Sequence, residues 1–443
     1  MTHDKDDILI ESAMRVFRRR IFPMLFIGYF LNCLDRSNVS FAQLKMGADL
    51  GLSLAAYGLG AGLFFIGYAA SCVPSNLLLK KIGVRRWLGI LILGWGLVSC
   101  LMATTQGEHS FYLLRILLGA TEAGFIPAVN YYMTTWVPPS HRSRVNALLI
   151  TALPMAMLIG GPISGALLEL NGYLRGWQWL FVLEGLPTVI LSWFIFRYLP
   201  ETPRDAVWLD ENQRNALTNA MGGQTAVAVT ESYAAGFSVF VKKPVVWGLL
   251  AVLLIAYAGT FALIYFLPVI LKSLYGVTPL QIGWLLAIPN LVAIGISYIV
   301  GRTSERTGDI RLHLTVICIA GGVGFLMLKP AALISLWAFL AVISLITSFT
   351  IAYYGPLNAA IQNLIGARPG PLALVTTIGA TGGFIGPSLT GFVMQLSGGD
   401  WRPAALAFAI VTLVGAVLAF LCVRNPRPDP IEPALKQSLV HTR

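Results

Sequence analysis

The sequence predicts an all-α membrane protein of twelve transmembrane helices in two pseudo-symmetric six-helix bundles. Three observations predict it. The 443 residues are 56% hydrophobic and 12% charged, where soluble domains carry roughly 25% charge. Apolar runs of about 20 residues, enough to cross a ~30 Å hydrocarbon core, recur along the chain. The two halves also repeat one another at a fixed offset.

The first six runs lie near 21–43, 55–79, 87–105, 110–136, 145–168 and 177–199. Each is read as a helix because a chain crossing lipid must satisfy its backbone hydrogen bonds within itself. The second run leads into the basic loop KKIGVRR, and the fifth contains the helix-weakening GGP. A polar stretch, 200–243, follows. Its ETPRDAVWLDENQRNAL reads as a short surface helix that Asp205 or Asp210 could cap. Six more runs lie near 245–271, 281–301, 312–329, 333–355, 371–396 and 402–423, the eleventh carrying IGP. The division expected is an N-terminal bundle (1–199), a cytoplasmic linker (200–243), and a C-terminal bundle with a short cytoplasmic tail (244–443).

Gly51 and Gly58 recur as Gly276 and Gly283, Gly83 as Gly308, and Pro162 as Pro387, all at an offset of 225 residues. Two halves of like orientation are the parallel-repeat arrangement of one large transporter class. With both termini inside, 24 of the 31 Lys and Arg residues fall on the cytoplasmic side, 5 fall outside and two sit within helices. That asymmetry follows the positive-inside rule. The +11 net charge therefore orients the protein and does not indicate nucleic-acid binding. The first twenty residues are polar and carry no leader-like apolar core. Cys33, Cys72, Cys100, Cys318 and Cys422 lie in or beside apolar runs, spaced neither for disulfides nor for a metal.

Four charges sit inside two of these runs: Asp35 and Arg36 in IFPMLFIGYFLNCLDRSNVSFA, Arg115 and Glu122 in HSFYLLRILLGATEAGFIPAVNYYMTTW. An ionised group at the centre of a membrane helix costs at least roughly 2.5–3.5 kcal/mol, so such residues face protein or a water-filled cavity. Asp35 and Arg36 are adjacent and do not simply neutralise each other. Arg115 and Glu122 share a face, about 10 Å apart along the axis. Opposite helix directions bring Asp35 and Arg115 to similar depth, so that pair is expected, with Arg36 left for an anion. A guanidinium grips a carboxylate in a two-point fork. Glu122 lies deeper, with no basic residue within four positions, and is read as a proton carrier; Asp35 is the second. Arg115 could instead snorkel to the outer boundary. Glu184 is read as a structural hydrogen-bonding group.

Asn32, one turn before Arg36, could line the same face. Tyr257, Asn290, Tyr353 and Asn358 are polar candidates of the second half, for which interhelical hydrogen bonding weighs equally. Trp136, Trp177, Trp179 and Trp401 are read as interfacial anchors. All five histidines lie in termini, loops or helix ends, and no nucleophile–base pattern is present. An enzyme is thereby excluded, and no metal or cofactor is expected.

The segments NCLDRSNVSFAQLKMGADLGLS, YGLGAGLFFIGYAASCVPSNLLLKKIGVRRW, LLRILLGATEAGFIPAVNYY and WQWLFVLEGLP resemble the anion:cation symporter family of the major facilitator superfamily. Within it they are most similar to bacterial phthalate, tartrate and 4-hydroxyphenylacetate permeases. The resemblance implies a small organic carboxylate as substrate, a proton as coupling ion, a functional monomer in the bacterial cytoplasmic (inner) membrane, and a ligand-facing tyrosine at Tyr68. One departure is visible. KKIGVRR lacks the acidic residue usual in that loop, whereas SERTGD keeps Glu305, so gating salt bridges are not expected at KKIGVRR. The function expected is import of a small organic carboxylate by proton symport. A proton-coupled efflux antiporter is the alternative, and a membrane receptor or sensor the distant third.

Overall fold

The structure is a computed structural model that describes residues 2–170, 172–221, 244–365 and 369–423. The first half comprises α1 (Thr2–Arg20), α2 (Phe22–Leu50), α3 (Leu54–Ile82), α4 (Val84–Met102), α5 (Glu108–Glu122), α6 (Phe125–Trp136), α7 (Pro139–Ile150), α8 (Ala152–Leu168) and α9 (Gly176–Tyr198). Then come α10 (Glu211–Met221), α11 (Pro244–Tyr275), α12 (Pro279–Thr307), α13 (Ile310–Ile334), α14 (Leu336–Ala352), α15 (Tyr354–Ile365), α16 (Pro369–Leu396) and α17 (Arg402–Cys422). Paired end to end, α5 with α6, α7 with α8, and α14 with α15 form single broken spans, giving twelve in two bundles. Among the described residues, ten spans are by length and composition apolar enough to cross a membrane. The other two are α2, which carries the buried charges, and α16.

The repeated glycines end helices. Gly51 and Gly276 have φ of 63° and 62°, and Gly83 and Gly308 have 90° and 66°, conformations that a side chain disfavours. New helices then start on side-chain caps. Ser53 Oγ accepts the Ala56 N–H at 3.1 Å, and Thr278 Oγ1 accepts that of Gln281 at 3.3 Å.

The other two repeat anchors meet each other. A Cβ on Gly58 of α3 would collide with the Pro387 carbonyl of α16, and one on Gly283 of α12 with Gly161 and Pro162 of α8. Symmetry-equivalent seams thus join the bundles, with backbones approaching as closely as small residues permit. Polar contacts tighten the same end, remote from the N-terminus: Lys272 Nζ donates to the Leu44 carbonyl at 2.6 Å and the Leu54 N–H to Gln395 Oε1 at 3.1 Å.

The first twenty residues are not merely a polar segment. Ala13, Met14, Phe17 and Ile21 are buried, an apolar stripe too short to stand out among the arginines. Phe17 packs on Trp136 and Trp208 on Trp136, with ring centroids 5.9 and 5.8 Å apart. Gln213 of α10 donates to Ser12 at 2.9 Å. Glu11 bridges His141 at 3.0 Å and Arg18 at 2.7 Å, and the His141 hydrogen bond, followed by Arg18, holds its carboxyl below the usual range. The expected surface helix is present as α10, preceded by Asp210. Asp205 instead accepts the Thr202 N–H and hydroxyl in a separate turn.

One further expectation is corrected. Trp136, Trp177 and Trp401 are buried, so they pack between helices and do not anchor in the interface; Trp177 donates to Asp49 at 2.8 Å. At KKIGVRR a carboxylate does approach, but it meets backbone and not the basic side chains. Glu201, after α9, accepts the Val84 and Arg85 N–H groups at 2.5 and 3.1 Å, capping the exposed N-terminus of α4.

Candidate functional site

The four mid-span charges converge where α2, α3, α5 and α11 meet. α2 presents Asn32 and Arg36 one turn apart, and both reach the last residue of α5. Arg36 Nε and Asn32 Nδ2 each donate to Glu122 Oε2 at 2.8 Å. The pairing is therefore Arg36 with Glu122, not Asp35 with Arg115 as expected. Glu122 has no cation nearby in sequence, yet α2 crosses α5 at the depth that delivers one. Arg36 keeps 24% of its side chain exposed while Glu122 is sealed. Its Nη2 has no partner among the described residues, so the forked end of the guanidinium remains uncommitted.

Asp35 leaves α2 about a quarter-turn away from Arg36, as adjacency on a helix requires. Its Oδ1 accepts Ser99 Oγ at 2.5 Å and Asn38 Nδ2 at 3.0 Å. Its carboxyl also faces that of Glu122, and Asp35 Oδ2 and Glu122 Oε1 have no further partner. Two carboxyls and one amide thus lie in sequence from Glu122 to Asn38. Glu184 Oε1 accepts Ser164 Oγ at 2.8 Å, and its Oε2 has no partner among the described residues.

Arg115 does not snorkel. It is fully buried and donates to the Gly60 and Ala61 carbonyls at 3.4 and 3.3 Å and to Tyr265 Oη at 3.2 Å. It therefore ties α5 to α3 and, through Tyr265, to α11 of the other bundle. Phe64 lies against both guanidiniums, 5.5 Å from Arg36 and 4.9 Å from Arg115, contacts worth about 0.5–2 kcal/mol each. Nothing in the sequence singled out Tyr265, Phe64 or Ser99; their importance rests on where the helices cross.

Arg36 lies 5.0 Å above the ring of Tyr68. In the second bundle Tyr257 packs between Phe261 and Tyr354, with ring centroids 5.9 and 5.8 Å away. Tyr353 is fully buried and stacks on Tyr354 at 4.4 Å. Tyr354, which sequence reasoning missed, is half-buried and packs on Tyr257 at 5.8 Å. Asn290 returns its amide to its own helix, donating to the Leu286 carbonyl at 2.8 Å. The side chains of Asn358 and Glu305 lie outside the described residues. No metal-ligand cluster occurs among the described residues.

The arrangement can hold an anion on a guanidinium whose own carboxylate partner competes for it. The chain is 37% identical over 425 residues to a protein named putative tartrate transporter from Agrobacterium vitis, covering 92% of this chain and 95% of that one. It is likewise 37% identical to a quinolone resistance transporter of Acinetobacter baumannii, covering 93% and 95%. Among solved structures, a bacterial homolog of the lysosomal transporter Spinster, in an inward-facing and unoccupied conformation, superposes with a TM-score of 0.75 at 18% identity, covering 92% and 98%. The inward-open xylose transporter XylE from E. coli gives 0.72 at 15% identity, covering 94% and 99%. The family model of the Major Facilitator Superfamily matches residues 25–371. This chain belongs to the Major Facilitator Superfamily and is a multi-pass membrane transporter, not an enzyme.

Proposed function

We propose that the protein imports a small organic carboxylate by proton symport across a bacterial cytoplasmic membrane, with both termini cytoplasmic. The observation that carries this reading is the Arg36–Glu122 ion pair, 2.8 Å long and closed on one side by Asn32. Asp35, Arg36, Arg115 and Glu122 are charge-neutral as a set. A carboxylate entering alone would leave a net negative charge in a low-dielectric interior, where it is costly. A proton on Glu122 removes that cost and releases Arg36 to grip the substrate with its fork. Asp35, facing Glu122, is the second proton-carrying group, and its free Oδ2 can share a proton with Glu122 Oε1.

Tyr68 and Tyr257 supply one wall from each bundle, with Asn32 beside them. Arg115 links the bundles through Tyr265. Residues 1–199 and 244–443 then rock about this site, tethered by 200–243, in alternating access. The name of the Acinetobacter relative favours one second reading, in which the same exchange of proton for anion runs as efflux antiport.

Radiolabelled tartrate and hydroxybenzoate in proteoliposomes, with protein-free vesicles as reference, test the scheme. Wild-type protein should accumulate one of them when the outside is acid. Glu122→Gln should still exchange substrate across the membrane but lose pH-driven accumulation. Accumulation by Glu122→Gln at the wild-type level would sink the proton role, and binding that survives Arg36→Ala would sink the clamp. Accumulation only when the inside is acid would establish export.

A further inference from the structure

Away from the substrate site, a cleft of about 600 Å³ opens at the bundle end that carries the N-terminus, lined by Lys80, Lys81, Arg85 and Arg86 with Glu201 and Asp205. Its carboxylates are already committed. Glu201 accepts the Val84 and Arg85 N–H groups, and Asp205 accepts the N–H and hydroxyl of Thr202 at 2.9 and 2.8 Å. Arg85 is spent on the Phe196 carbonyl. Lys80, Lys81 and Arg86 are exposed and make no ion pair or side-chain hydrogen bond with the described residues. Four cations thus share one recess with two carboxylates, leaving an excess of positive charge on three side chains that have no bonded partner.

What adjoins the recess is apolar. Arg86 heads a face of α4 that continues through Ile90, Leu97 and Leu101, at helical spacings of four, seven and four residues. These three are 43%, 48% and 49% exposed. In a membrane span such a face lies against acyl chains. A basic recess opening directly onto a lipid-facing stripe matches one molecule in charge and in shape, a phospholipid with an anionic headgroup.

We propose that this cleft binds an anionic phospholipid, its phosphate held by Lys80, Lys81 and Arg86 and an acyl chain lying along Ile90, Leu97 and Leu101. Arginine can grip the phosphate through its fork while the lysines act as point charges.

Native mass spectrometry of the purified full-length protein, titrated with phosphatidylglycerol or phosphatidylcholine of identical chains, tests this. Each Lys or Arg at an anionic lipid surface is worth about fivefold in binding. The Lys80→Gln, Lys81→Gln, Arg86→Gln variant should therefore lose at least about tenfold of the phosphatidylglycerol preference. A control with the same charge removed elsewhere at that end, Arg15→Gln, Arg19→Gln, Arg306→Gln, should keep it. Lys81→Gln alone guards against misfolding of the triple variant and should lose roughly fivefold. Equal retention of both lipids by the wild type, or equal loss in the control, would overturn the site. Displacement of bound phosphatidylglycerol by millimolar inorganic phosphate would overturn the lipid in favour of a soluble anion.

Discussion

Arg36 Nε lies 2.8 Å from Glu122 Oε2, and these two residues are 86 positions apart in the chain. The pair sets the cation that attracts an anion against the carboxylate that must be neutralised before the anion arrives. Arg36→Lys keeps the charge and loses the fork. We expect the KM for exchange to rise about 10-fold or more, the loss of one charge-assisted hydrogen bond of roughly 1.5–3 kcal/mol, with the protein still folded. Concentration dependence of substrate exchange checks it, and an unchanged KM would show that the fork is not used.

Gly58 against Pro387 and Gly283 against Pro162 are equivalent seams. Gly58→Leu and Gly283→Leu, each placing a side chain where backbone already stands, should stop the bundles closing at that end. Transport should fall at least about tenfold, the scale of 1.4 kcal/mol or more of steric cost. Spin-label distances across the Leu54–Gln395 contact should widen in both variants. If the distances stay short and transport persists, the seams are not part of the conformational cycle.

Tyr257 and Tyr353 separate binding from packing. Tyr257 is half-buried, whereas Tyr353 is fully buried and stacks on Tyr354. Tyr257→Leu should raise the KM severalfold, the loss of about 0.5–1.5 kcal/mol of aromatic contact, with little change in thermal stability. Tyr353→Leu should do the reverse, lowering the unfolding temperature by several degrees while leaving the KM near wild type. Thermal unfolding and exchange kinetics on the same preparations distinguish them.

Glu11 offers a pH test outside the membrane. The His141 hydrogen bond and Arg18 lower its proton affinity in the folded protein. The unfolded carboxyl therefore binds protons more readily, and the stabilisation is present above the ordinary Glu range near pH 4.3 and lost as pH falls through the lowered folded value. Hydrogen exchange over α1 should accelerate on acidification in the wild type. Glu11→Gln should show fast exchange already at neutral pH and less change with pH.

Much of the fold was legible in the chain because its signals are local. Apolar run length marks each span, and Gly51, Gly83, Gly276 and Gly308 mark helix ends, since a positive φ is a property of one residue. The identities of the four buried charges were legible for the same reason: charge in an apolar run stands out wherever it points. Other features were hidden. The stripe of Ala13, Met14 and Phe17 is too short to separate from its arginines. The Trp136 and Trp177 rings look interfacial in sequence because a run's end does not say which way its side chains turn.

The sequence by itself determined that this is a twelve-span transporter with its charges concentrated in the first half, because hydrophobic length and intramembrane charge are costs paid residue by residue. Only the tertiary structure decided who pairs with whom. Glu122 went to Arg36, Asp35 to Ser99 and Asn38, and Arg115 to Tyr265 on the opposite bundle. Those choices follow from the depth and angle at which α2, α4, α5 and α11 cross, and a partner several spans away in the chain leaves no local trace in the spacing of either residue.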